Sequence, residues 1–287
     1  MKRCSFVLTP EEYKKVLAEG TVLGSGCKMD KMEGVNFVWA TNPETIKKLL
    51  PPPLEMAAPL VVGYISNLDE TNYGPSYNEA GVFIPVHYKG TPGAYFLSAV
   101  LDVNGAGTTM GAFLGRESCG MPKKIVDKIA LNRVGDSVHA YVEHDGIRII
   151  DVKIELGAYN APEAQMIFGG IKPGAEMPGA TYFTKVDVNP DESGALKFIN
   201  ARLLFQTMKA KYKEWLPGSA EITLQSHSNI PWAELAVGKV LGGGYGKYSW
   251  GGFSTKVAAE LNADEVMPYI LLNKYDIDMM DKENRKF

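Results

Sequence analysis

Long apolar segments are missing from this sequence. No stretch is apolar for long enough to span a bilayer, so we expect no transmembrane helix. The basic residues 1–3 are followed by an apolar segment that is too short for the core of a signal peptide, which favours a cytoplasmic protein. The net charge of -3 is small for 287 residues and gives no reason to expect a nucleic acid or a membrane surface as partner.

Cysteine and histidine are also scarce. The cysteines are odd in number and lack the spacing of a metal site, so we interpret them as free thiols. They are Cys4, Cys27 and Cys119. The histidines are scattered, and no two of them have the local spacing of metal ligands, so the sequence predicts no metal site. They are His87, His139, His144 and His227.

Two glycine-rich stretches fall short of nucleotide-binding loops. Residues 105–111 have the wrong glycine spacing and no βαβ pattern around them. Residues 242–247 are followed by Tyr248, where a P-loop needs Ser or Thr to bind magnesium. We therefore predict no nucleotide and no other cofactor. Residues 242–252, which include Tyr245, are interpreted either as a mobile lid over an apolar ligand or as an ordinary surface loop.

Helix signals are concentrated near the beginning of the chain. Thr9-Pro10-Glu11-Glu12 is a helix start that Gly20 can end, and residues 41–44 repeat the pattern before the three prolines at 51–53. After them the chain is rich in strand-forming valine, isoleucine and aromatic residues. The predicted strands are 60–65, 82–88, 95–103, 129–131, 138–142, 147–154, 196–209 and 220–224. Residues 169–179 are predicted to be a loop, and 231–241 begin either a helix or a strand.

These signals predict an α+β fold that is mainly β. A predominantly antiparallel sheet that closes into a barrel, with peripheral helices outside it, accounts for the many strands and the few helices. No internal repeat or low-complexity segment divides the chain.

The strongest chemical signal is the pair Lys123-Lys124, which follows Pro122 in an apolar and glycine-rich setting. A lysine amine attacks ketones, but an ordinary lysine is protonated at neutral pH. A second ammonium and removal from water both favour the neutral amine that forms a Schiff base. By itself the pair fits a solvated surface better, since pairs of lysines are common.

Several motifs accompany the lysines in a fixed order. They are NFVW at 36–39, LPPPLE at 50–55, YNEAGVFIPV at 77–86 and GRE at 115–117, with weaker similarity at 199–201 and 218–240. Together with Pro122-Lys123-Lys124 they resemble the acetoacetate decarboxylase family. The resemblance implies a conical β-barrel that holds the lysines inside, one domain over residues 1–287, and a homo-oligomer.

The resemblance also implies roles for individual residues. Lys123 matches the family's Schiff-base lysine, Lys124 its electrostatic neighbour, and Glu79 an active-site glutamate. Tyr77 shares a strand face with Glu79, so both side chains are expected in one cavity, although a surface turn is the alternative. Met121 is expected to line the same cavity.

Two positions depart from the family pattern. Met32 matches an arginine, unless the register shifts toward Lys31, and Tyr64 matches a second acidic residue. Substrate binding at these positions would then be more apolar. Arg116 and Glu117 are interpreted as a buried ion pair that holds the lysine loop, or else Arg116 binds a substrate carboxylate.

The sequence therefore predicts a lyase that acts through an imine on Lys123. Its substrate would be an oxo acid or ketone other than acetoacetate. The enzyme would decarboxylate it, cleave it as a retro-aldolase, or join it to an aldehyde co-substrate as an aldolase-dehydratase. A true acetoacetate decarboxylase is one alternative. A non-catalytic ligand-binding protein on the same fold is another, although both lysines and Glu79 are retained.

Overall fold

The computed structural model of this protein describes residues 7–18 and 22–276, and it is mainly β with few helices. The helices in these ranges are α1 (Pro10–Ala18), α2 (Val22–Ser25), α3 (Pro43–Leu49), α4 (Thr108–Cys119), α5 (Ala164–Phe168), α6 (Ala263–Lys274) and a 3-10 helix (Trp232–Leu235). The first strands are β1 (Met29–Ala40), β2 (Glu55–Met56), β3 (Leu60–Thr71), β4 (Tyr77–Tyr88), β5 (Thr91–Asp102) and β6 (Lys123–Val126). The others are β7 (Lys128–Val134), β8 (Ser137–His144), β9 (Ile147–Leu156), β10 (Glu176–Pro190), β11 (Leu196–Leu224) and β12 (Val240–Glu260). Within the described part of the chain, no helix has the length and apolar character needed to cross a membrane.

The two predicted early helices are confirmed by their caps. At α1 the hydroxyl of Thr9 accepts the backbone N–H of Glu12 at 3.2 Å, and the Glu12 carboxylate accepts that of Thr9 at 2.8 Å. At α3 the side chain of Asn42 accepts the N–H of Glu44 at 2.8 Å. The predicted end of α1 at Gly20 lies outside the described residues.

One sheet contains all the strands of residues 7–18 and 22–276, and most of its neighbouring strands run antiparallel. Its order is β10-β5-β4-β3-β1-β12-β11-β9-β8-β7, with β2 beside β4 and β6 beside β5. Because β10 also pairs with β11, the strands from β10 to β11 in that order form a closed circuit of pairings. Among the described strands, only the pairs β10–β5 and β5–β6 are parallel. The conical shape and the single domain stay predictions.

Strand prediction succeeded where valine and isoleucine are dense. The meander predicted between residues 129 and 154 is β7, β8 and β9. The predicted strands 196–209 and 220–224 are two parts of β11, which changes partners from β10 and β12 to β9 along its length. Residues 231–241 form the short 3-10 helix and then enter β12.

The interpretation of residues 242–252 as a lid or a surface loop is wrong. They lie within β12, between β1 and β11, in the middle of the sheet. The glycines serve close packing: a Cβ at Gly244 would lie 2.5 Å from the Trp215 ring and 2.7 Å from the Leu216 carbonyl oxygen.

The two faces of β1 separate the main core from the interior that holds the lysine. Val35, Phe37 and Trp39 belong to the large core cluster, where the Trp39 indole donates to the Leu235 carbonyl at 2.8 Å. Asn36 points to the other face, because side chains alternate along a strand. That face lines the cavity described next.

Candidate active site

Lys123 is buried at the first position of β6, with only 4% of its surface exposed. The strand is held parallel to β5, with Lys123 opposite Ala99. Helix α4 covers the side chain with two glycines. The Gly111 carbonyl accepts a hydrogen bond from the Lys123 amine at 3.1 Å, and a Cβ at Gly115 would lie 2.8 Å from Lys123 Cε. Gly115 therefore leaves the room that the lysine needs, and Gly111 supplies an acceptor for its amine.

Glu79 is the direct partner of this amine. Its Oε2 lies 2.6 Å from Lys123 Nζ, and its Oε1 accepts the Tyr64 hydroxyl at 2.6 Å. The alternative of a surface turn at Glu79 is wrong, because the residue lies in β4 and is 5% exposed. Burial, with the neighbouring Glu79 charge, raises the pKa of Tyr64 well above its usual value. Tyr64 is therefore a neutral donor to the carboxylate.

Tyr77 shares the interior face with Glu79 but lies outside the cavity lining. Its hydroxyl is 2.7 Å from that of Tyr73, and its ring packs against Gly111 of α4. Burial, then the charge of Glu79, raises the pKa of Tyr77 well above its usual value. The residue supports the helix that covers Lys123.

Lys124 lies on the opposite side of β6 from Lys123. Its amine donates to the Asn229 carbonyl at 2.6 Å and lies 3.3 Å from Asp276 Oδ1. Burial lowers the pKa of Lys124, while Asp276 opposes that change. The expected side-by-side arrangement of the two amines is wrong, since consecutive strand residues point to opposite faces. A catalytic contribution from Lys124 stays a prediction.

Arg116 holds β6 in place, but not through Glu117. One Arg116 nitrogen donates to the carbonyls of Lys123 and Lys274, each at 2.7 Å, and the guanidinium lies over the Tyr275 ring. Glu117 is exposed, so the predicted buried ion pair between the two residues is wrong. Because its guanidinium already holds two carbonyls, Arg116 fits a structural role better than carboxylate binding.

Two apolar chambers meet at Lys123, with volumes of about 270 and 480 Å³. Residues that line both are Met29, Met121, Lys123, Gln206 and Phe253. The smaller, called the aromatic chamber here, is lined by Tyr64, Phe83, Phe96, Phe183 and Trp250, among others. The larger, called the thiol chamber, is lined by Cys27, Cys119, Leu114 and Val22, among others. Of the described residues, Lys123 is the sole cation lining either chamber.

The cysteines of the thiol chamber are free, as predicted. Cys119 is buried and Cys27 is half-buried, and burial raises the pKa of the Cys27 thiol. Cys4 lies outside the described residues.

The family model of acetoacetate decarboxylase (ADC) matches residues 19–261 of this sequence. The chain belongs to the acetoacetate decarboxylase family. It is 31% identical over 275 residues to the CLA biosynthesis isomerase of Lactiplantibacillus plantarum, which covers 95% of each chain. It is 30% identical over 204 residues to the acetoacetate decarboxylase of Paraburkholderia phytofirmans, which covers 70% of this chain and 73% of that one.

Structural comparison agrees with this family. A solved acetoacetate decarboxylase superposes with a TM-score of 0.67 at 22% identity, covering 82% of this chain and 89% of that one. This likeness concerns the fold. The resemblance first seen in the motifs between residues 36 and 124 is confirmed.

The two positions that depart from the family pattern occupy different places. Tyr64 lines the aromatic chamber, whereas Met32 is buried against Leu68 and Tyr248 outside both chambers. The pairing of β1 is irregular between Met29 and Met32, where three steps along β1 face two along β12. This one-residue shift changes which side chains of β1 face the interior, and Met29 is the residue of β1 that lines both chambers.

Of the other predicted site residues, one lines the chambers and one lies outside them. Met121 lines both chambers, as expected. Tyr245 faces the main core, where its hydroxyl bonds Glu33 and its ring lies under Arg133, so its assignment to the substrate site is wrong. Trp250, from the same glycine-rich stretch, lines the aromatic chamber instead.

The aromatic lining was missed by sequence reasoning. Phe83 lies four residues after Glu79 in β4, so alternation along the strand could have found it. Phe183 and Gln206 come from β10 and β11, far along the chain, and only the closed circuit of strands brings them to Lys123.

Proposed function

We propose that this protein is an enzyme that forms a Schiff base between Lys123 and the carbonyl carbon of an apolar oxo compound. The observation that carries this proposal is the buried pair of Lys123 Nζ and Glu79 Oε2, 2.6 Å apart, where two apolar chambers meet. Glu79 takes a proton from the ammonium, and the free amine adds to the carbonyl carbon. A proton passes from that nitrogen to the oxygen and gives a carbinolamine. The protonated carboxyl then gives its proton to the hydroxyl, which leaves as water while the nitrogen lone pair forms the protonated imine.

The two chambers favour a particular kind of substrate. When the carbonyl carbon is bonded to Lys123, the chambers on either side accept one apolar arm each. No second cation of the described residues lines them to hold a small carboxylate such as that of acetoacetate. An internal ketone with two apolar arms therefore fits this lining better than acetoacetate does.

Isomerisation of a carbon–carbon double bond is the reaction that we propose for this imine. In the imine of a β,γ-unsaturated ketone, Glu79 removes the α proton. The electron pair of that C–H bond forms a carbon–carbon double bond, the π pair of the protonated imine moves to nitrogen, and a neutral dienamine results. Return of the proton to the γ carbon gives a conjugated imine, and hydrolysis releases the product and the amine. The similarity to a CLA biosynthesis isomerase over 95% of both chains supports this choice.

Cleavage of a carbon–carbon bond is the second candidate. The same protonated imine accepts the electron pair released when carbon dioxide or an aldehyde leaves, so an oxo acid would be decarboxylated or split. The similarity to acetoacetate decarboxylases over 70% of the chain supports this candidate. In the reverse sense the site would join an oxo acid to an aldehyde and then lose water.

Borohydride trapping tests the first step. The protein is incubated with ketones that differ in the length of each apolar arm, reduced, digested and analysed by mass spectrometry. We expect a secondary amine on Lys123, none in Lys123→Gln, and an unchanged yield in Lys153→Gln, whose lysine is exposed on β9. An adduct that persists in Lys123→Gln at the wild-type level would exclude the mechanism.

The two reactions are distinguished by measuring turnover of the compounds that gave a borohydride adduct on Lys123. Isomerisation produces the ultraviolet absorbance of a conjugated enone without carbon dioxide, and in deuterium oxide the γ carbon gains deuterium. Cleavage releases carbon dioxide or aldehyde at the same rate as substrate is consumed. If trapping succeeds and only cleavage is seen, the isomerase proposal is wrong while the imine remains.

A further inference from the structure

A group of metal-ligating side chains lies outside the candidate active site. One ligand atom from each of His144, Asp145 and His227 lies within 4.8 Å of the other two. His144 is the last residue of β8, Asp145 follows it in the turn to β9, and His227 follows β11. None of the three lines the aromatic or the thiol chamber. We propose that these residues bind a divalent transition-metal ion of the zinc type.

The distances are close to those of a coordination sphere. His227 Nε2 lies 3.4 Å from Asp145 Oδ2, and His144 Nε2 lies 4.0 Å from the same oxygen. Zinc takes nitrogen and oxygen ligands at about 2.0–2.2 Å in a tetrahedron, so ligand atoms lie roughly 3.4 Å apart. Because all three ligand atoms lie within 4.8 Å of one another, side-chain adjustments that shorten each pair by at most about 1.4 Å complete this geometry.

A second observation concerns the carboxylate that would orient His144. Nδ1 of His144 is buried and has no hydrogen bond, although Asp127 Oδ1 lies 3.4 Å away. Asp127 also accepts the backbone N–H of Asp145 at 2.8 Å, which fixes the turn. A histidine that binds a metal through one nitrogen commonly donates the other N–H to a carboxylate. Asp127 is in position to accept that bond and to orient His144.

Burial and charge divide the group into an inner and an outer side. The His227 side chain is 5% exposed, whereas that of Asp145 is 69% exposed, so an ion can enter from solvent and meet the imidazoles beneath. The carboxylates of Asp127 and Asp145 balance a divalent charge. Two imidazoles favour zinc, cobalt or nickel over magnesium and calcium, which prefer oxygen ligands only.

A metal ion bound at this site would affect β6, the strand of Lys123 and Lys124, through Asn229. The Asn229 backbone N–H donates to His227 Nδ1 at 3.2 Å, which leaves the imidazole proton on Nε2. An ion at Nε2 moves that proton to Nδ1 and ends this hydrogen bond. Because the Asn229 carbonyl accepts the Lys124 amine, the loop beside β6 readjusts when the ion binds.

The test is calorimetric titration of the full chain, free of any histidine tag, with zinc chloride. We expect one ion per chain and visible absorption of a low-symmetry site with cobalt chloride, and no binding of magnesium or calcium. Asp127→Asn lowers zinc affinity roughly 10–100-fold. His227→Gln and Asp145→Asn, which remove direct ligands, lower it further, and His139→Gln, whose histidine pairs with Asp151, leaves it unchanged.

Two results would overturn the site. One is the absence of saturable zinc or cobalt binding by the wild-type protein, which needs no variant to fold. The other is wild-type affinity in His227→Gln, with its circular dichroism unchanged. Borohydride trapping on Lys123 is followed separately in metal-free protein, so loss of the imine mechanism leaves this test intact.

Discussion

Lys123 and Lys124 are consecutive in the sequence, yet their amines bind groups on opposite sides of β6. The first lies 2.6 Å from a Glu79 oxygen, and the second lies 2.6 Å from the Asn229 carbonyl. Lys123 has a buried carboxylate as its proton acceptor, whereas the carboxylate nearest Lys124, that of Asp276, lies 3.3 Å away and is exposed. The pair therefore divides into a candidate nucleophile and a residue that ties β6 to a neighbouring loop.

Substitution of each lysine in turn tests this division. Lys123→Gln abolishes turnover and borohydride trapping, because no other described amine lines the chambers. Lys124→Gln keeps the adduct on Lys123, although loss of its bond to Asn229 lowers stability by about 1 kcal/mol. Mass spectrometry of the trapped protein and urea unfolding measure the two effects. Loss of the adduct in a folded Lys124→Gln protein would restore the electrostatic-neighbour model.

Glu79 and Tyr64 are expected to differ in how much each contributes to the rate of turnover. Glu79→Gln removes the proton acceptor and slows turnover roughly 10²–10⁴-fold, while prolonged incubation still traps the imine. Tyr64→Phe removes one hydrogen bond to the carboxylate, worth about 1.5–3 kcal/mol, and slows turnover roughly 10–100-fold. Steady-state kinetics of the two variants, on any substrate that forms a borohydride adduct, would measure both rate losses. Equal, wild-type rates would show that neither residue moves a proton.

Gly115→Ala should separate activity from stability. The new methyl group would lie 2.8 Å from Lys123 Cε and 3.1 Å from its amine, and the flexible side chain can move away from it. Alanine also favours the helix by roughly 1 kcal/mol over glycine. We expect an unchanged or higher melting temperature together with a large loss of trapping rate. Thr109→Ala, at an exposed position of α4, is the matched control and should leave the trapping rate unaltered.

Gly244→Ala tests the finding that residues 242–252 form a packed strand. A Cβ there would lie 2.5 Å from the Trp215 ring and 2.7 Å from a backbone oxygen, so overpacking costs about 1–3 kcal/mol. Gly251→Ala in the same strand meets only Lys28 Cγ, at 4.0 Å, and should be tolerated. Urea unfolding of both variants gives the comparison. Equal stability would indicate that the strand is loosely packed.

Lys274 gives a pH dependence with a definite sign. Burial, with Arg116 and Lys185 nearby, lowers the pKa of Lys274 from 10.5 to about 8. The unfolded chain then binds more protons than the folded one between these values, so folding stability rises with pH across that window. Below pH 8 Lys274 is charged in both states, so the full free-energy cost of burying its ammonium group remains.

The corresponding variant is Lys274→Met. At pH 7 it should be more stable than wild type by on the order of 1 kcal/mol, after allowance for solvent screening. The difference should shrink as the pH approaches 10.5, where wild-type Lys274 is neutral in both states. Urea unfolding at pH 7 and pH 10 measures it, with Lys48→Met on the exposed side of α3 as control. A difference that grows with pH would contradict the sign.

The sequence predicts those parts of the fold that depend on local chemistry. The caps at Thr9 and Asn42 act over three residues, and the β7–β9 meander follows from its valines and isoleucines. Helix α4 was not predicted, because Gly111 and Gly115 disfavour a helix and are required by close contacts with other elements, Gly111 with the Tyr77 ring and Gly115 with the Lys123 side chain.

The candidate site was partly predictable for a similar reason. Lys123, Glu79 and Tyr64 were recognised from motifs, whereas the direction of Lys124 depends on a strand of only four residues that was not predicted. Met32 was misplaced because an irregular pairing in β1 changes the register. His144 and His227 are far apart in the chain, so no local spacing could reveal that their rings lie 5.0 Å apart.

The guanidinium of Arg116 donates hydrogen bonds to the carbonyl of Lys123 and to that of Lys274, at the last turn of α6. Fraying of that helix would therefore release the backbone of the candidate nucleophile as well, and amide hydrogen exchange in the two segments should be correlated. A fusion partner attached after α6 would act on the same hydrogen bonds. Catalytic measurements are thus best made on protein whose C-terminal side carries no added sequence.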